Sequence, residues 1–152
     1  MQNIKSVQNV LNVLFVCTGN TCRSPMAEII ANSFFKHAGI AARASSCGVF
    51  AVPHAPASKN AVAAVGDALL PHKSRGINFK IIEDAHLVIC MTAGHKAAIL
   101  AGFDNAGHKV FTFAELGFGD VPDPFGGDAA MYAACAKSLE KYINMLNWSE
   151  LL

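Results

Sequence analysis

Val10 to Met26 reads VLNVLFVC-TGNTC-RSPM: an apolar run, a turn of small and polar residues, and the start of a helix. The run VLNVLFVC is nearly continuous and β-rich, which suits a strand buried on both faces of a parallel sheet. Thr18 to Cys22 makes the turn, with Gly19 and Asn20 as the residues that tolerate positive φ. Ser24-Pro25 opens the helix, where proline's missing N–H costs nothing. Met26, Ile30 and Phe34 follow at i, i+4 and i+8, and Gly39 marks the helix end. Strand, tight loop and helix make one half of a βαβ unit.

The pattern recurs outward from this stretch. Ala41 to Ser46 reads as a short strand, and Ala57 to Leu70 as an alanine-rich helix ending before Pro71. AHLVICM, Ala85 to Met91, is a second buried strand, followed by a helix over Ala93 to Leu100. Lys109 to Phe113 is the last strand. Asp128 to Leu146 is a long helix capped by Asp128, with Met131, Cys135, Leu139, Tyr142 and Leu146 along one face. Alternating strands and helices predict an α/β, three-layer doubly wound fold, a parallel sheet with helices on both faces. Ligands bind such sheets beyond the carboxyl ends of the strands, where the loop after Cys17 falls.

The chain of 152 residues is read as a single domain, residues 1–152, and its 53% hydrophobic content suffices for a core. A net charge of +1 gives no global argument for a nucleic-acid or acidic-membrane partner. Any phosphate site must draw its positive potential locally. Met1 to Asn9 is polar and lacks the apolar stretch of a signal peptide, while Val10 to Cys17 is too short to span a membrane. Five cysteines at no framework spacing leave the cytoplasm as the expected compartment. With no Cys-x2-Cys and no His/Cys cluster at ligand spacing, neither a metal nor another cofactor is expected.

Cys17 to Arg23 spells Cys-x5-Arg between a strand and a helix N-terminus. A loop curled at Gly19 and Asn20 can turn successive N–H groups toward one point, and the helix N-terminus adds partial positive charge. Arg23 supplies a planar fork for two phosphate oxygens. A cysteine at the rim of such a ring is expected to react as a thiolate nucleophile. Taken alone, the same residues also fit a strand-end core cysteine and a solvated arginine; the strand-loop-helix setting favours the nucleophile. Asp123, between Pro122 and Pro124, taken alone is a turn former, and His72 a surface residue. Cys47, Cys90 and Cys135 sit in strand or helix patterns and read as core.

VLFVCTGNTCRSPMAE resembles the signature of the low-molecular-weight protein tyrosine phosphatases, and further motifs follow in the family's order. These are Ser46-Cys47-Gly48, His72-Lys73-Ser74-Arg75, AHLVICM, and Val121-Pro122-Asp123-Pro124-Phe125. The resemblance implies a four-stranded sheet and a cofactor-free monomer acting on a phosphorylated protein. Cys17 would take the phosphate, Arg23 would hold it, and Asp123 would serve as general acid and base, with Asp120 a rival lacking the following proline. Thr18, Gly19, Asn20, Thr21, Cys22, Ser24 and Phe125 would meet the substrate. Asn20, Ser24, Ser46 and His72 would support the loop, and Ser24 would hydrogen-bond the thiolate. Cys22 has two readings: partner of Cys17 in a protective disulfide, or a small residue packed under the loop.

Two features bear on the substrate. Thr21 stands where eukaryotic members of the family carry an aliphatic residue, and the acid loop ends Asp-Pro-Phe-Gly-Gly. Both resemble the bacterial protein-arginine phosphatases, which favours phosphoarginine, with phosphotyrosine as the alternative. Phe125 would form one wall of the pocket, with Gly126 and Gly127 leaving the other open. Thioredoxin-coupled arsenate reduction on this fold needs redox cysteines after the third strand, where Cys90 has no nearby partner. A non-catalytic phosphate-binding module would need neither Cys17 nor Asp123.

Overall fold

The sheet is organised around its first strand, β1, Leu11–Cys17, which pairs in parallel on one edge with β2, Ala42–Gly48, and on the other with β3, Leu87–Cys90. β4, Val110–Thr112, pairs in parallel with β3, giving the order β2-β1-β3-β4. This is a computed structural model describing residues 9–152; of the polar stretch read at the N-terminus, residues 1–8 lie outside the described residues.

Alternation along β1 explains why its sequence is apolar throughout. Val13, Phe15 and Cys17 enter one core cluster, and Leu14 and Val16 enter the other. The first cluster is closed by α1, Arg23–Ala38, α2, Lys59–Val65, α5, Ala129–Met145, and α6, Trp148–Leu151. The second is closed by Ile82 of α3, Phe79–Asp84, and Ile99 of α4, Ala93–Gly102. Both sheet faces are covered, and each large buried side chain contributes about 1.5–3 kcal/mol. Among the described residues, no helix is long and apolar enough to cross a membrane.

Several details differ from the sequence reading. The helix expected over Ala57 to Leu70 is interrupted at Gly66, whose φ of 101° and ψ of 175° suit glycine, and a short 3-10 turn, Asp67–Leu69, follows. α3 was not expected; Asn78 starts it by accepting from the Ile81 N–H. β2 runs to Gly48 rather than Ser46, while β4 ends at Thr112. In α5 the buried face is Tyr132, Cys135, Ala136, Leu139 and Ile143, and Met131 lies outside it. Asp128 caps α5 by accepting from the Met131 N–H at 2.9 Å.

β2 is an edge strand, and its outer side is covered rather than bare. Near its start, the Asn32 amide of α1 accepts from Ala44 N at 2.8 Å and donates to Ala44 O at 3.1 Å, imitating a neighbouring strand. Near its end, Arg75 Nε donates to Ser46 O, and Gly48 exchanges bonds with Arg75 and Ile77. Such covering removes a template for edge pairing. Asn32→Ala is therefore expected to cost about 1–3 kcal/mol by leaving both Ala44 groups unpaired. In urea unfolding this lowers the midpoint with m unchanged; an unmoved midpoint would show that water replaces the amide without loss.

Candidate active site

β1 delivers Cys17 to the carboxyl edge of the sheet, and α1 begins at Arg23, so the loop between them must reverse tightly. Its carbonyls are drawn outward. Cys17 O accepts from Val49 N at 3.0 Å, Thr18 O from Phe50 N at 2.9 Å, and Thr21 O from Ser58 N at 3.0 Å. Asn20 O accepts from His72 Nε2 at 2.8 Å. Among the described residues, the N–H groups of Thr18 to Arg23 have no acceptor in the protein. The same residues, with Cys17, Asp123 and Phe125, line a pocket of about 210 Å³. Unpaired donors at a helix N-terminus make an anion cradle.

The curl needs two special positions. Asn20 adopts φ 56°, and its side chain is fully engaged: Nδ2 donates to Ser24 Oγ and Ser46 Oγ, each at 2.9 Å, and Oδ1 accepts from Arg75 N at 3.0 Å. Gly48 lets β2 approach, because a Cβ there would collide with Thr18 O and lie 3.0 Å from Asn20 N.

Cys17 is 2% exposed, and its Sγ lies 2.9 Å from Ser24 Oγ. Because Asn20 donates into the Ser24 oxygen, the Ser24 hydroxyl proton is available to a Cys17 thiolate or to Cys47 O, 3.3 Å away. Arg23 is buried. One terminal nitrogen donates to Val121 O at 3.0 Å, and the other lies 3.4 Å from both Thr18 Oγ1 and Asp123 Oδ2. Its Nε is buried without a protein acceptor among the described residues. Asp123 is half exposed, and its Oδ1 accepts from Phe125 N at 3.1 Å, closing the Asp-Pro turn. Asp120 is exposed and does not line the pocket.

Behind the loop, Ser46 Oγ donates to Glu28 Oε1 at 3.1 Å. Burial raises the Glu28 carboxyl above its usual range, while the Ser46 bond and the charges of His72 and Arg75 pull it down. Cys22 is buried with Sγ 3.2 Å from Tyr132 Oη and 3.3 Å from Ser58 Oγ, packed under the loop. All five cysteines are free thiols here. Burial pushes Cys47 and Cys90 up to about 12 and Cys135 up to about 11, which leaves them as neutral core thiols. Among the described residues, no group of three His, Cys, Asp or Glu side chains could hold a metal ion.

The structure brings Cys17, Thr18, Gly19, Asn20, Thr21, Cys22, Arg23, Asp123 and Phe125 to one pocket. Ser24, expected to meet the substrate, is instead fully buried behind the loop with Ser46 and His72, because its hydroxyl is held between Cys17 Sγ, Asn20 and Cys47 O. The sequence reading missed His95 of α4. Its Nδ1 accepts from Thr92 N at 3.1 Å, so its Nε2 carries the proton and donates to Thr18 Oγ1 at 2.9 Å. Burial, then the Arg23 charge, push its imidazole down to about 4, against a smaller opposite pull from Asp123 and Asp120. Thr92-x-x-His95 is a capping-box spacing with histidine in place of Glu or Gln, and that spacing was the available signal.

The family model described as low molecular weight phosphotyrosine protein phosphatase matches residues 12–151. A protein-arginine-phosphatase of Bacillus subtilis is 40% identical over 141 residues, covering 90% of this chain and 94% of its own. A low molecular weight protein-tyrosine-phosphatase, PtpB of Staphylococcus epidermidis, is 40% identical over 126 residues, covering 80% and 86%. The structure of a YwlE arginine phosphatase mutant with a phosphorylated active-site serine superposes with TM-score 0.83 at 39% identity, covering 88% of this chain and 91% of that one. With a match across nearly all of the described chain, this protein belongs to the low molecular weight phosphotyrosine protein phosphatase family.

Proposed function

We propose that this protein hydrolyses phosphoarginine in proteins through a phosphocysteine on Cys17. The observation carrying this reading is the pocket itself: a strand-end thiol within reach of Ser24, ringed by unpaired N–H groups and Arg23, with Asp123 on the same wall. The substrate class is supported by the protein-arginine-phosphatase of Bacillus subtilis and by Thr21. Thr21 lines the pocket, and its hydroxyl has only a weak contact among the described residues, 3.7 Å to Cys22 Sγ. It is therefore free to bond a polar guanidino group.

In the first step the Cys17 thiolate attacks phosphorus, an S–P bond forms and the P–N bond of phosphoarginine breaks. The loop N–H groups and Arg23 stabilise the equatorial oxygens as charge develops on them. Asp123 gives its proton to the departing guanidino nitrogen. In the second step the Asp123 carboxylate takes a proton from water, whose oxygen attacks phosphorus as the S–P bond breaks. Ser24 then donates to the departing thiolate. Protonated Asp123 and free Cys17 thiolate are restored, and inorganic phosphate leaves. A bound phosphoryl group also competes with Asp123 for the Arg23 guanidinium, which loosens the 3.4 Å pair and frees the carboxyl group for proton transfer. A phosphorylated protein is the partner, and Cys17, Arg23 and Asp123 carry the chemistry.

Asp123→Asn is expected to lower turnover of phosphoarginine and of poor aryl leaving groups by roughly 10²–10⁴. An activated aryl phosphate should lose much less in its pre-steady-state burst. Equal losses in that burst across leaving groups would remove Asp123 from the acid role.

The second reading, phosphotyrosine hydrolysis, is favoured by the Staphylococcus relative named as a tyrosine phosphatase at the same identity. Comparing kcat/KM on matched phosphoarginine and phosphotyrosine peptides separates the two, with phosphoarginine expected to win in the wild type. Thr21→Ile should then move the ratio toward phosphotyrosine by roughly ten- to a hundredfold, because an unpaired polar group costs about 1–3 kcal/mol. A wild type that prefers phosphotyrosine would overturn the phosphoarginine reading, and an unmoved ratio would make Thr21 a passive loop residue.

A further inference from the structure

The catalytic reading leaves His95 without a role, although it is buried beside the pocket and bonded to a residue of the cradle. Its location follows from the sheet order. β3 lies next to β1, so the N-terminus of α4, just after β3, stands beside the loop that leaves β1. Thr92 N can only donate, which fixes the lone pair on Nδ1 and the proton on Nε2.

Thr18 Oγ1 has two lone pairs and one proton. His95 Nε2–H, at 2.9 Å, and the Arg23 terminal nitrogen, at 3.4 Å, are both donors, so both lone pairs are engaged. The Thr18 hydroxyl proton is left to point elsewhere, and Thr18 lines the 210 Å³ pocket. We propose that His95 is a positioning residue for phosphoryl transfer: through Thr18 it presents the hydroxyl proton to the bound phosphoryl group and steadies Arg23 beside it. This rests on the phosphatase reading of the pocket but concerns a residue that reading does not use.

The arrangement works only with a neutral ring. A proton on Nδ1 would face the Thr92 N–H and break the cap. Burial and the adjoining Arg23 charge, which push the imidazole down to about 4, keep it neutral near pH 7. Without His95, the Thr18 oxygen loses one of its two donors and its hydroxyl is free to rotate, so the cradle loses one preset donor.

The test separates this role from capping of α4. His95→Asn keeps an acceptor near Thr92 but is too short to reach Thr18, whereas His95→Gln keeps the reach. Equilibrium binding of inorganic phosphate by calorimetry is read alongside kcat and KM on a phosphoarginine peptide. Thr18→Val and His95→Asn should each weaken phosphate binding about tenfold, the scale of a hydrogen bond to a charged group. His95→Gln should recover most of that loss, and the Thr18→Val/His95→Asn double variant should be no worse than Thr18→Val. Equal binding by the Asn and Gln variants, or additive losses in the double variant, would overturn the proposal. Should His95→Asn fail to fold, Thr18→Ser and Thr18→Val leave the cap untouched; Ser must bind phosphate as the wild type does, and a Val variant that also does so sinks the idea. A chain that follows this binding pattern yet hydrolyses neither phosphoarginine nor an aryl phosphate would instead sink the phosphatase reading and leave His95 its place in the cradle.

Discussion

Asn20 sits at φ 56°, a left-handed conformation uncommon outside glycine though asparagine tolerates it better than most, and the pocket depends on what holds it there. Its amide gives two bonds to serine hydroxyls and takes one from Arg75 N, while its carbonyl takes one from His72. The residue is fully buried, so each of these groups would be costly unpaired. One strained residue thereby links α1 through Ser24, β2 through Ser46, and the segment along the β2 edge through His72 and Arg75. The strain is of the order of 1–3 kcal/mol, which several buried bonds offset. What the strain secures is a loop whose carbonyls face the protein and whose N–H groups are left to the pocket.

Electrostatics is equally local. The chain carries a net charge of +1, so the field at the pocket comes from one buried guanidinium, a helix end and oriented amides rather than from a charged surface. Such donors are fixed before a ligand arrives, and the guanidinium among them is buried. That raises their effect on a developing negative charge. The same Arg23 charge reaches Asp123, held at 3.4 Å, and helps keep the His95 ring neutral. A single buried cation therefore influences the anion, the acid and a neighbouring hydrogen-bond donor.

The apolar run of β1 was legible because both faces of the sheet are covered, leaving no polar alternation to confuse it. Cys17, Arg23 and Asp123 were legible because their spacing and flanking prolines survive as motifs along the chain. What escaped was of another kind. The break at Gly66 depends on a φ that glycine permits but does not demand. The short helix Phe79–Asp84 hangs on one Asn78 cap and buries only Ile82. His95 acts across 77 positions of sequence, and nothing local to Thr18 points to it. Of the expected face of α5, Cys135, Leu139 and Leu146 are buried, while Met131 stands exposed next to Gly127 of the acid loop and Tyr132 and Ile143 take buried places.

That last contact changes how the acid loop bears on substrate choice. In the sequence, Gly126 and Gly127 suggested a pocket wall left open for a flexible side chain. In the structure both glycines have backbone reasons. Gly126 adopts φ 79°, and a Cβ on Gly127 would lie 2.6 Å from Met131 Sδ and 2.9 Å from Pro124 O. They are needed to turn the loop under the first turn of α5, whatever the substrate. Phe125, 76% exposed at the rim, can lie against either an aryl ring or an aliphatic stem. Discrimination therefore falls on the groups that meet the atom bonded to phosphorus. Thr21 lines the pocket, and an aromatic ether oxygen offers no N–H for its hydroxyl to accept, whereas a guanidino group does. A hydroxyl placed there and weakly engaged in the protein favours the substrate that brings its own donors.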